Sequence, residues 1–201
     1  DGNFKVDEYP NEANNALATR FTVDPVAFAD LVTSQVVAPD QGVHGASIDV
    51  RYQVTNHGSQ TTRGESAALN SWTDTIWLTA DKTRPNAGRS GSVLLGTVQH
   101  SGALAIGESY SVVTTATLPA QLASGKYYIT PWSDSYDVIL EDTLASNLNS
   151  HDINELDNNN YKARAIDVIG GFAPPPPDLR ITALAASPLA STDAPLSVPW
   201  T

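Results

Sequence analysis

Apolar and polar residues alternate with period two in five separate segments: Ser47 to Thr55, Asp74 to Ala80, Tyr110 to Leu118, Lys126 to Trp132 and Tyr161 to Ile169. Alternation of this kind places successive side chains on opposite faces of a strand and cannot seat a helix, whose apolar stripe recurs every three to four residues. Gly-, Asn- and Ser-rich stretches such as "NHGSQ", "NAGRSGS" and "LASGK" separate the segments, and no long helical stripe interrupts them. With about seven strands expected over residues 25–169, the fold class is all-β, an immunoglobulin-like sandwich of two packed antiparallel sheets.

A second pattern runs through the chain at long range. Asp30-Leu31 matches Asp178-Leu179, and the apolar positions Ile48, Val50 and Tyr52 match Leu196, Val198 and Trp200, all at a spacing of 178 − 30 = 148 residues. Asn11 to Val23 likewise matches Asn154 to Val168 with a two-residue insertion. The expected organisation is a tandem array of domain-sized units. Residues 1–24 are the C-terminal strands of a preceding repeat, 25–169 a complete domain, 170–177 a proline-rich linker and 178–201 the first strands of the next repeat. The run "APPPP" reads as a short polyproline spacer of roughly 12 Å. The chain contains no methionine, so Asp1 is not an initiator, and both ends read as cuts in something longer.

Charge narrows the partners. The chain carries 22 acidic against 11 basic side chains, a net charge of -11, which repels phosphate backbones and anionic lipid and makes divalent cations the natural small partners. Neither nucleic-acid binding nor membrane insertion is expected: no apolar run approaches the roughly 18 residues that cross a bilayer. The first ten residues show no signal-peptide pattern. There is no cysteine to form a disulfide or a thiolate metal site.

The segments "DLVTSQVVAP", "VRYQVTNHGSQ", "SWTDTIWLTAD", "LLGTVQHSGALAIGESYS", "LPAQLASGKYYI" and "NELDNNN" together resemble the CARDB family, the cell-adhesion-related domains of bacteria, over essentially all of residues 30–168. The resemblance implies an immunoglobulin-like fold, tandem occurrence in long secreted or surface proteins, and no known general ligand. One departure is the stretch Thr143 to Asp152, an insertion relative to the N-terminal repeat.

The most chemical stretch runs from Asp134 to Asn160. Its carboxylates Asp134, Asp137, Glu141, Asp152, Glu155 and Asp157 are the calcium candidates, because calcium takes hard oxygen ligands from loops and commonly stiffens domain junctions. The stretch lacks the D-x-[DN]-x-[DN]-G loop. The competing reading is that these Asp and Asn side chains bond neighbouring backbone groups and shape turns. No catalytic residues are assigned. His44, His57, His100 and His151 read as solvated turn residues, "GRSGS" is not a nucleophile elbow, and a duplicated spacer is a poor host for an active site.

Trp72, Trp77, Tyr110, Tyr128 and Trp132 read as core aromatics, with a sugar platform requiring several of them bare in a row. No N-x-[ST] sequon occurs, which leaves O-linked glycans on the Thr- and Ser-rich outer face as the glycosylation hypothesis. The sequence reading is therefore a structural repeat of an extracellular, cell-surface filament or adhesin. Its partners are neighbouring repeats or copies of the same protein in a fibre, with surface glycans as further candidates. The alternative is a carbohydrate- or protein-binding accessory module of a secreted enzyme.

Overall fold

The computed structural model describes residues 18–22, 26–66 and 69–170. Eight strands form the unit: β1 (Leu31–Val37), β2 (Gln41–Val43), β3 (Ser47–Asn56), β4 (Ser71–Thr79), β5 (Val93–Ser101), β6 (Ser109–Thr117), β7 (Gly125–Trp132) and β8 (Arg164–Ile169), with one 3-10 turn at Ala145–Asn147. They build a three-stranded sheet of order β1-β3-β6 and a five-stranded sheet of order β2-β8-β7-β4-β5. All pairings are antiparallel except β2 with β8, which is parallel. The result is the immunoglobulin-like sandwich expected from the alternation. Of the flanking repeat placed at 1–24 only residues 18–22 are described, and they form no strand, while 178–201 and most of the 170–177 linker lie outside the described residues.

β3 shows the cause most plainly. Its residues Ile48, Val50, Tyr52 and Val54 are buried while Ser47, Asp49 and Arg51 face solvent, a strict period of two that lays one face on the core. Trp72, Ile76 and Leu78 from β4, Ile129 from β7 and Ile166 and Val168 from β8 supply the opposing face. In β1 the register shifts between Ser34 and Val37, where Gln35 takes a left-handed φ of 49°. This bulge bends the strand, and after Ala38 and Pro39 the chain crosses to the other sheet as β2.

Three strands lie outside the five alternating segments: β1, which falls on the stretch "DLVTSQVVAP", and β2 and β5. β2 is only three residues long, and β5 is an edge strand whose residues are mostly exposed or half-buried and include Gly96, so neither carries a clean alternation. In β8 the expected start at Tyr161 gives way to Arg164, because Tyr161 makes only an isolated bridge to Trp132.

Both faces of β4 are covered in its second half. Thr75, Trp77 and Thr79, together with Thr130 on β7, lie on the outer face and are nevertheless buried. The β4–β5 loop and the 143–158 segment fold over them, joined where the backbone N–H of Arg84 donates to the Asp152 carboxylate at 2.8 Å. A partial third layer therefore sits on the five-stranded sheet.

At the end where the chain enters, Gly58 permits a backbone crossing: a Cβ there would lie 2.5 Å from the Phe28 carbonyl oxygen and from the Ala29 carbonyl carbon. Neither contact can be relieved by a side-chain rotation. Gly58→Ala should therefore cost about 1–3 kcal/mol, the usual penalty of overpacking, read as a lowered urea midpoint at unchanged slope.

Candidate functional site

Chemistry concentrates at the entry end, where β1 meets the segment from Asp134 to Tyr161. Asp30 is fully buried, and its carboxylate accepts hydrogen bonds from the side-chain amides of Asn159 at 2.6 Å and Asn147 at 2.7 Å. Its backbone is engaged as well: the N–H donates to Asn56 Oδ1 at 3.2 Å and the carbonyl accepts from the His57 N–H at 2.8 Å. Glu141 accepts from the Leu31 backbone N–H at 2.6 Å and from the Asn160 amide at 2.8 Å. The Thr33 N–H donates to the Asn159 carbonyl at 3.0 Å. The Leu31 and Thr33 bonds occupy the side of β1 that faces away from β3.

The six sequence candidates divide into two groups. Asp134 holds its own turn, accepting from the Val138 and Ile139 backbone N–H groups at 3.0 and 2.7 Å. Asp134, Asp137 and Asp157 all adopt left-handed backbone conformations, with φ of 44°, 55° and 49°, which Asp tolerates better than most residues. Glu141 clamps β1, and Asp157 accepts from the Thr143 hydroxyl at 3.4 Å. Asp152 and Glu155 turn instead toward Arg84. Asp152 accepts from the Arg84 N–H and from the Tyr161 hydroxyl at 2.6 Å, while Glu155 pairs with the guanidinium at 3.4 Å. Among the described residues no three His, Asp or Glu side chains are placed to hold a metal ion together. The side-chain oxygen of Asn160 is the one buried side-chain polar atom there without a hydrogen-bond partner.

A second polar centre was not read from the sequence at all. Asp74 lies on the inner face of β4 and is fully buried, accepting from the Tyr52 hydroxyl at 2.9 Å and the Tyr110 hydroxyl at 2.8 Å. The Trp72 indole N–H donates to Tyr110 at 3.1 Å, and the His100 ring sits 4.0 Å from Trp72 and 4.1 Å from Tyr110. His100 is thus a half-buried strand residue between two aromatic rings rather than a solvated turn histidine. The missed β5 explains the difference. The Asp in "WTD" was the available signal, since an acid at an inward position of a strand has to be paired.

A groove of about 800 Å³ opens where the two covering loops meet, lined in part by Trp77, Arg84, Asn86, Arg89, Trp132 and Glu155. Its rings are not bare: the Arg84 guanidinium lies 4.7 Å over Trp132, and Trp77 is only 8% exposed. The groove therefore lacks the open aromatic row that a sugar platform needs.

No protein-family model matches the chain, and no curated protein matches it. Among solved structures, the crystal structure of a CARDB domain from Pyrococcus furiosus in complex with di-metal ions aligns at a TM-score of 0.44 and 16% identity, over 72% of this chain and 97% of that one. A solution structure of the same domain aligns at 0.43 and 17%, over 71% and 97%. A β-glucosidase from Erythrobacter marinus aligns at 0.41 and 12%, over 70% of this chain and 16% of that one. Two of the aligned structures are thus of a CARDB domain, the family that the sequence resembles.

Burial sets the titration of the acids. It pushes Asp134 up to about 7 against the pull of two backbone N–H bonds, and Asp74 up to about 6 against its tyrosine donors. Burial also raises Glu141 well above the usual carboxylate range and raises Asp157, where the neighbouring Asp137 adds to the shift. A carboxyl whose folded value lies above its unfolded value binds protons more readily when folded. Its stabilising contribution is complete below the unfolded value near 3.8 and is lost as pH rises through about 6 and 7. His100 works in the opposite sense, since burial lowers it and its contribution fades as pH falls through 6.5. Four raised acids against one half-buried histidine set the balance. The urea midpoint should be higher at pH 5 than at pH 8, and Asp134→Asn should flatten the change between pH 5 and 7. A midpoint that rises steadily from pH 5 to 8 would contradict the assignment.

Proposed function

We propose that this unit is a force-carrying spacer of an extracellular bacterial filament or adhesin, a non-enzymatic β-sandwich repeated along a surface protein. The observation that supports this reading most directly is the placement of the chain ends. β1 starts beside Asn56, at the pole where β3 ends and β6 begins, while β8 ends at Ile169 opposite Val43, at the other pole. Chain enters at one end of the sandwich and leaves at the far end, as a spacer requires.

Because β2 and β8 run parallel, tension applied through the two ends slides one strand along the other. The pairs Gln41–Asp167, Gly42–Val168 and Val43–Ile169 are then loaded together, and the Asp167 N–H bond to the Asp40 carbonyl at 2.8 Å extends the set. Bonds loaded together in shear resist more force than bonds opened one at a time from an end. The clamp on β1 through Asp30, Leu31 and Thr33 adds a second set at the entry pole. The negative surface keeps such an array soluble and disfavours lateral sticking.

Single-molecule pulling tests the reading, and the absence of native cysteine makes attachment simple. Stretched end to end, the unit should unfold at a clearly higher force than when pulled through Ser71→Cys and Ser101→Cys, which peel β5 from β4. Equal forces in the two geometries would remove the mechanical reading.

Calcium enters this reading as an accessory at Glu141 and its acidic neighbours, next to the unpartnered Asn160 oxygen. A cation and protons compete for the same carboxylates. Millimolar calcium should therefore raise the melting temperature more at pH 8 than at pH 5 relative to excess chelator. No rise at pH 8 would remove calcium and leave the spacer standing.

A further inference from the structure

We infer that the pocket between β1 and the 143–158 segment binds a small acidic sugar, its carboxylate held by Lys82 and Lys162. The inference is independent of the spacer reading, since a spacer can carry such a site or lack it.

The pocket encloses about 340 Å³ and is built from four separate stretches of chain: Val32 and Thr33 on β1, Lys82 after β4, residues 147–151, and the stretch from Asn159 to Ala163 that leads into β8. Its charge runs against that of the whole. Acids outnumber bases 22 to 11 in the chain, yet the described residues lining this pocket include Lys82, Lys162 and His151 and no Asp or Glu. The acids next in sequence are committed elsewhere. Asp81 accepts from the Thr83 N–H at 3.0 Å and hydroxyl at 2.6 Å and pairs with Arg89 at 3.4 Å. Asp152 accepts from the Arg84 N–H and the Tyr161 hydroxyl. Asp30 lies behind the wall, its carboxylate capped by the Asn147 and Asn159 amides. Neither lysine forms an ion pair with a described residue, and Lys82 has only the Tyr128 ring, 5.9 Å away. Two ammonium groups without counter-charges beside one cavity attract an anionic group into it.

The remaining lining says what carries that group. Bonding to Asp30 fixes the Asn147 amide and leaves its side-chain oxygen as an acceptor, while the Ser150 hydroxyl has no partner among the described residues. Val32 and Leu148 add a small apolar surface, Leu148 being 47% exposed. Hydrogen-bonding groups beside a little apolar surface suit a hydroxylated ring. The volume stands at the lower end of small-molecule sites, which run from about 300 to 1,000 Å³, so it admits one such ring. A long polyanion is repelled by the rest of a chain whose net charge is -11.

The test titrates glucuronate and galacturonate into the isotopically labelled full chain at low ionic strength, read by NMR. Saturable shifts should appear at the backbone amides of Val32, Ser150 and Lys162 with at least one of the two, and neutral glucose should produce none. Lys82→Gln with Lys162→Gln should weaken binding about tenfold per lysine, as the loss of one charge-assisted hydrogen bond does. Neither side chain is buried, so this variant should melt close to the parent. Leu148→Glu, which adds a repelling charge at an exposed wall position, should weaken binding as well. Equal binding of glucose would overturn the role of the lysines, and equal binding of inorganic sulfate would overturn the sugar. No saturable shift with either acidic sugar, or unchanged affinity in the lysine variant, would overturn the site. Each of these results leaves the pulling experiment to decide the spacer on its own.

Discussion

Everything at the entry end depends on one buried carboxylate. A carboxyl removed from water at Asp30 is tolerable only because donors surround it, and the two side-chain amides that do so come from Asn147 and Asn159. With its backbone tied to Asn56 and His57, this residue binds the start of β1, the end of β3, the 3-10 turn and the asparagine run into one body. The free side of β1 would otherwise present unpaired N–H groups, the usual liability of an edge strand. The Asn159 carbonyl and the Glu141 carboxylate close it.

That arrangement explains the uneven legibility of the sequence. β3 could be read directly, since burial on alternate residues is local information written in Ile48, Val50, Tyr52 and Val54. The acidic stretch could be located but not resolved. Whether Glu141 meets a cation or the Leu31 backbone depends on a contact 110 residues away, and the Asp30 to Asn159 bond spans 129. The reading of those side chains as turn-shaping was right for Asp134, whose partners are four and five residues ahead. It missed Glu141 and Asp152, whose decisive partners include residues far away in the chain. Asp74 was hidden for a different reason: Tyr52 and Tyr110 look like ordinary core residues until a shared acceptor stands between them.

The insertion from Thr143 onward has a structural role beyond loop length. By meeting the β4–β5 loop at Arg84 and Asp152 it covers the outer face of β4, where alternation alone predicts solvent. Thr79 and Thr130 bond each other at 2.9 Å beneath that cover, and the Trp77 indole donates to Thr75 at 2.9 Å. Polar residues on an outer face were thus made part of the interior by pairing among themselves. The same layer holds the arginine that shields Trp132.

Pairing the second strand with the last has a consequence for synthesis. β2 emerges early and waits while more than a hundred residues are made, because Gln41 has no sheet partner until Asp167 arrives. The five-stranded sheet cannot be completed before then, and contacts of such long range make closure slow and cooperative. In the tandem array proposed above, the waiting edge would meet the last strand of its predecessor first, which is the setting for strands to be exchanged between neighbours.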